Sequence, residues 1–182
     1  VIYAEPVTNQ EGFAMAITHL DSAIALASGT GAHAVKVRTA AQIAKARTLV
    51  NMGQFAAAAA VVTGINTNYQ YTLTYSQPTQ DNTIWTTNFS SAGTARYVVG
   101  DSVAMVNGVE TRIRNAVPFA SANDPRIPVT GAWNNASSTG FDGSTPYVRQ
   151  RIWDERDDPI VIASGIDARL IEAEAALNAN DI

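Results

Sequence analysis

The chain has 182 residues, with 12 Lys and Arg against 16 Asp and Glu, for a formal net charge of −4. That length suits one globular domain with a real core, and 46% hydrophobic against 15% charged residues argues against wholesale disorder. The mild acidity lacks the electrostatic footprint of a general nucleic-acid binder, no run approaches the roughly 18 apolar residues of a membrane helix, and zero Cys excludes disulfides, thiolate metal sites and a cysteine nucleophile.

Ala occurs 17 times in residues 1–65, 8 times in 66–159 and 6 times in 160–182. Propensity therefore makes the first and last zones helical and the middle not. The first helix opens on Thr8-Asn9-Gln10-Glu11, a capping-box pattern, and Phe13, Ile17, Leu20, Ile24 and Ala27 follow on one helical face. Ser28-Gly29-Thr30-Gly31 breaks it. A second helix is expected from about Ala34 to Met52, with Val37, Ala41, Ala44 and Leu49 toward a partner. Gly53 ends it, and Phe55 to Val62 forms a third. Tyr69, Tyr71, Leu73 and Tyr75 alternate as in a half-buried strand. Polar residues crowd 77–93, and Thr94 to Val99 and Tyr147 to Trp153 read as further short strands. In the last zone Ser164 caps a helix, with Asp167 three residues on. The chain begins at Val1 without an initiator Met, signal peptide or lipid-attachment Cys. It ends after the amphipathic pattern Ile166 to Leu177 with no following helix. An internal segment of a longer mature protein is the expectation, with 8–65 helical, 66–159 loop-rich with a few short strands, and 160–182 a return helix.

Ala46, Leu49, Gly53, Phe55 and Ala58 stand at the offsets of a tetratricopeptide helix hairpin, small residues allowing close approach and Gly53 making the turn. Around it come Glu5-Pro6-Val7-Thr8, His19-Leu20-Asp21-Ser22-Ala23-Ile24-Ala25-Leu26, Ala44-Lys45-Ala46-Arg47, Asn51-Met52-Gly53-Gln54-Phe55 and Tyr71-Thr72-Leu73. Further on stand Asp124-Pro125-Arg126, Pro159-Ile160-Val161-Ile162 and Asp167-Ala168-Arg169-Leu170-Ile171-Glu172-Ala173-Glu174-Ala175-Ala176-Leu177. In this order the segments resemble the SusD/RagB family of outer-membrane nutrient-binding lipoproteins. The resemblance implies a mostly α fold, a tetratricopeptide-like helical scaffold with a loop-rich middle region draped over it. It also implies a non-enzymatic role: capture of oligosaccharide or another nutrient at the bacterial cell surface, for a TonB-dependent outer-membrane transporter. The lipid anchor would lie outside this segment. The family's sugar contacts occupy no fixed motif, so none transfers to a residue here.

The residues themselves offer no catalytic constellation. His19 precedes a core Leu and His33 lies in a Gly-rich break, so both read as structural or solvated. Asp154-Glu155-Arg156-Asp157-Asp158 could offer oxygens to a hard cation but lacks the ligand spacing and turn Gly of a calcium loop, and reads as a solvated or salt-bridged turn. Asp124-Pro125-Arg126 reads as a turn whose Arg126 bridges neighbouring elements. Glu172 and Glu174 read as one scaffold-pairing residue and one exposed. Sugar sites need convergent polar groups around a flat apolar platform. Trp133, beside Asn134 in a loop without apolar periodicity, suits that description, and Phe141 and Tyr147 flank the same loop. These four are the candidate ligand-binding residues; Trp85 is expected to pack on the helices and Trp153 in the core. Neither a cofactor nor a metal is expected. The alternative is a structural or adhesive extracellular module, with the helix faces as its interface.

Overall fold

The first helix, α1 (Asn9–Leu26), starts where its cap is written: Glu11 N–H donates to the Thr8 hydroxyl at 3.2 Å and Thr8 N–H to the Glu11 carboxylate at 2.8 Å. This computed structural model describes residues 5–89, 95–106, 109–112, 117–131 and 139–180, and the fold is mixed and mostly helical. The chain divides into two compact units, Val1–Leu73 with Val161–Ile182, and Thr74–Ile160.

In the first unit, Phe13, Ile17, Leu20, Ile24 and Ala27 are all half-buried, the one face by which α1 packs on α2 (Ala32–Asn51). Lys45 reaches Asp21 across this pair at 2.5 Å. Arg38 donates to the carbonyls of Ala27 and Gly29, at 2.7 and 3.1 Å, just past the end of α1, where the helix has no N–H of its own to offer. The other side of α2 buries Ile43, Ala46 and Leu49 against α3 (Phe55–Val62) and α5 (Gly165–Asn178). Gly53 takes φ +73° at the α2–α3 turn, a conformation open to glycine at little cost. Ala46 and Ala58 are both fully buried, so the helices approach without bulk between them. Ile43 and Val62 fill the space left, each worth roughly 1.5–3 kcal/mol of burial. β1 (Gln70–Leu73) pairs with β6 (Ile160–Ser164), shorter than the tyrosine alternation suggested, and Leu73 faces outward.

Ser164 caps α5 in a second capping box with Asp167, whose carboxylate also pairs with Arg47 at 2.8 Å. Burial raises the Asp167 carboxyl, but the Arg47 and Ser164 bonds outweigh it and the net shift is downward. α5 buries Gly165, Ala168 and Ile171, while Ile166, Leu170 and Leu177 on its other side are exposed. Glu172 pairs with Arg169 at 3.1 Å, and Glu174 is exposed.

The second unit holds α4 (Thr83–Phe89), the antiparallel hairpin β2 (Val103–Val106) with β3 (Val109–Arg112), and the antiparallel pair β4 (Val129–Thr130) with β5 (Arg149–Gln150). Beside Ala95 and Val148, its buried residues among those described include Asn82, Asp101 and Gln150. Side-chain hydrogen bonds to the backbone, rather than apolar periodicity, organise it. Asn82 is the clearest instance: its Oδ1 accepts the N–H of Ile84 and Trp85, starting α4, while its Nδ2 donates to Asp158 O at 2.9 Å.

Two expected strands are corrected here. Residues 95–99 are irregular, with Thr94 outside the described residues, and within Tyr147 to Trp153 only Arg149–Gln150 is strand. The Gln150 side chain ends that strand: its Oε1 accepts the N–H of Ile152 and Trp153 and its Nε2 donates to Trp153 O, so the backbone folds back on a side chain instead of extending a ladder. Trp153 is half-buried. Trp85 sits within α4 itself, donating from Nε1 to Asp154 O at 2.8 Å.

Candidate functional site

The second unit carries a surface groove built by one tight loop and one irregular segment. In the loop, Thr139 bridges to Pro146, Gly140 N–H donates to Thr145 O at 2.8 Å, and Gly143 adopts φ +69°. Asp142 closes the turn: its carboxylate accepts the N–H of Ser144 and Thr145, at 3.1 and 2.9 Å, and the Thr145 hydroxyl. The hydroxyl bond and then these amides hold the Asp142 carboxyl down at about 2. The loop is fastened to the irregular segment by Phe141 N–H to Ala95 O at 2.9 Å and Val99 N–H to Val148 O at 2.8 Å. That segment is in turn tied to α4 by Arg96 N–H donating to Thr87 O at 3.1 Å.

These bonds leave two rings on the surface, Tyr97 at 67% and Phe141 at 65% exposure. Between them lies an open cavity of about 370 Å³ whose walls include Arg96, Val98, Asp142 and Thr145. A second, of about 390 Å³, is lined by Thr83, Ile84 and Thr87 and shares Tyr97 with the first. The Arg96 guanidinium lies over the Phe141 ring, 5.1 Å from its centroid. The groove therefore presents flat apolar faces, a cation, a carboxylate and a hydroxyl to one ligand-sized space.

Of the four residues that the sequence singles out, Phe141 lines this groove. Tyr147 is half-buried, its phenol pushed up by burial, and its carbonyl backs onto Gly131, where a Cβ would lie 2.6 Å away. Trp133 and Asn134 lie outside the described residues. Arg96, Tyr97 and Asp142 were not singled out in the sequence. The stretch Thr94 to Val99 reads as a short strand, and it is the Phe141–Ala95 bond that makes it the wall of a loop.

The other chemistry-bearing stretches serve the architecture. Asp154 pairs with Arg149 and Arg151, Arg156 pairs with Asp81 at 2.8 Å, and Asp158 accepts the N–H of Asp154 and Glu155. Arg126 folds back on Asp124 within its own tripeptide at 2.5 Å instead of bridging neighbouring elements, holding that carboxyl at about 2. His19 and His33 are exposed. Among the described residues no three His, Asp or Glu side chains converge as a metal site.

A pH titration reads the loop directly. A carboxylate whose folded pKa is depressed stabilises above its unfolded value and loses that contribution as pH falls through the folded one. The 139–146 turn is thus expected to stay intact down to about pH 4 and to loosen between 3.8 and about 2. The amide shifts of Ser144 and Thr145 in an NMR titration should share a midpoint near 2. A midpoint at the ordinary aspartate value would mean that the Asp142 bonds do not persist in solution.

Comparison with protein-family models, with curated proteins and with solved structures finds no match in any of the three.

Proposed function

We propose that this chain is a non-enzymatic binding module for an oligosaccharide, received on the Tyr97–Phe141 groove. The observation that carries this reading is the pair of highly exposed rings set around Arg96, Asp142 and Thr145. Sugar rings have C–H faces that pack on flat aromatic surfaces, and their hydroxyls need the donors and acceptors that these neighbours supply. Large rings left in water at the wall of a cavity are unfavourable for the isolated fold and useful to a ligand.

The wider setting comes from the sequence resemblance to the SusD/RagB family. In that setting the helical unit is part of a tetratricopeptide-like scaffold, a reading supported by the Gly53 turn and by the burial of Ala46 and Ala58 in one core cluster where α2 packs on α3. The protein would sit at the bacterial cell surface on a lipid anchor and deliver its ligand to a TonB-dependent outer-membrane transporter. No described helix is long and apolar enough to cross a membrane.

Isothermal titration against a glycan panel tests the reading. Phe141→Ala and Tyr97→Ala should each weaken the best ligand by about tenfold, the loss of one ring contact of about 1.4 kcal/mol. Unfolding midpoints should barely move, as for other surface substitutions. Unchanged affinity in both variants would move the site elsewhere. A second reading, a protein-assembly module, is favoured by the exposed Ile166, Leu170 and Leu177 on α5. A panel with no binding glycan, together with self-association of the chain, would favour it.

A further inference from the structure

We infer that the ligand of this groove is an acidic saccharide, its carboxylate or sulfate received by Arg96 beside a sugar ring on the aromatic faces. The inference rests on the saccharide reading above and adds the charge of the ligand. Among the described residues, ion pairs engage Arg47, Arg126, Arg149, Arg151, Arg156 and Arg169; outside these pairs, Arg38 bonds the carbonyls past the end of α1, and Arg96 lies at the groove. Its guanidinium rests instead on the face of Phe141, at the wall of the cavity.

A guanidinium held over a ring and engaged in no ion pair among the described residues keeps N–H groups to offer, and its fork matches a carboxylate or sulfate in two parallel bonds. The carboxylate in the same wall does not take this role. Asp142 spends both oxygens on its own turn, on two amides and the Thr145 hydroxyl. What remains toward a ligand is a cation and two aromatic rings. A neutral sugar would use the rings and take only single hydroxyl bonds from the guanidinium. A uronate or a sulfated sugar would engage the rings and the full charged fork.

The test is calorimetry on the 182-residue chain with an oligogalacturonate, its carboxyl-reduced neutral counterpart and a sulfated oligosaccharide. Wild type should bind one of the acidic ligands at least tenfold more tightly than the neutral one, and which of the two it prefers identifies the anion. Arg96→Gln should abolish that preference, bringing the acidic ligand to the affinity the same variant shows for the neutral one, and Arg96→Lys, which keeps the charge but not the fork, should retain part of it. Equal affinity for neutral and acidic ligands overturns the inference and leaves the saccharide reading standing. A preference that survives Arg96→Gln also overturns it. Binding of no saccharide at all overturns both.

Discussion

Gly165→Ala is expected to destabilise the helical unit by about 3 kcal/mol, the upper end of what overpacking costs. A Cβ at this position would stand 2.0 Å from Asn66 O and 2.6 Å from the Cα and carbonyl carbon of Thr67. Those are backbone atoms, so no flexible side chain can swing away. The residue is buried at the start of α5, directly after the Ser164 cap, and its N–H donates to Tyr69 O at 2.8 Å. To make room, either α5 or the 66–69 segment must move. Both are fixed, α5 by its packing of Ala168 and Ile171 in the core and Tyr69 by its hydroxyl bond to Lys36 O. Urea denaturation followed by far-ultraviolet circular dichroism would read the change as a lowered midpoint. Gly12→Ala serves as the opposite control. It lies inside α1 with nothing within 4 Å of its added Cβ, and the substitution should stabilise by roughly 0.5–1 kcal/mol through lower chain entropy. The same chemical change thus has opposite signs at two helical positions. A Gly165→Ala midpoint equal to wild type would mean that α5 does not enter against the 66–67 backbone.

The contrast between the two units explains what the sequence discloses. In the helical unit the signals are local. Thr8 and Glu11 are three residues apart and cap each other, Phe13 to Ala27 share a face by spacing alone, and Gly53 marks its own turn. A reader of the chain finds all three without knowing what lies across the core. In the second unit the organising bonds join distant residues. Asn82 caps α4 within a run of Thr, Ile and Trp that favours strand, and it is held in place by a carbonyl 76 residues away. Gln150 stops a strand with its side chain, which no periodicity announces. One feature there was nonetheless local: Asn107-Gly108 falls between Val106 and Val109, partners in the β2–β3 hairpin, and is a strong short-range hairpin signal. The site divides the same way. Phe141 is legible as the aromatic flank of a polar loop. Arg96 and Tyr97 become site residues only through the Phe141–Ala95 hydrogen bond.

Asn82 is where this non-local organisation meets the groove, and its replacement should have the largest effect in the second unit. The side chain is fully buried and makes three bonds at once, to the N–H of Ile84 and Trp85 and to Asp158 O. Its own N–H donates to Arg156 O at 2.8 Å, so the 154–158 turn and the start of α4 share this one residue. Asn82→Ala removes a helix cap and strands buried backbone groups, and is expected to cost roughly 3 kcal/mol. Because α4 supplies Thr83, Ile84 and Thr87 to the wall beside Tyr97, saccharide affinity should fall with stability. Asn82→Asp separates the two roles. It keeps the acceptor that caps α4 but replaces the donor with an oxygen facing Asp158 O. Burial and that carbonyl would raise the new carboxyl above its unfolded value, so the protonated form, which can donate, is favoured in the fold. Stability from a raised group is present at low pH and lost as pH rises through the folded value. Asn82→Asp should therefore lie well below wild type at pH 7 and approach it as the pH falls toward 4, while the deficit of Asn82→Ala stays nearly constant over that range. Parallel pH profiles for the two variants would show that the Nδ2–Asp158 bond carries no weight, and that the cap alone holds the wall of the groove.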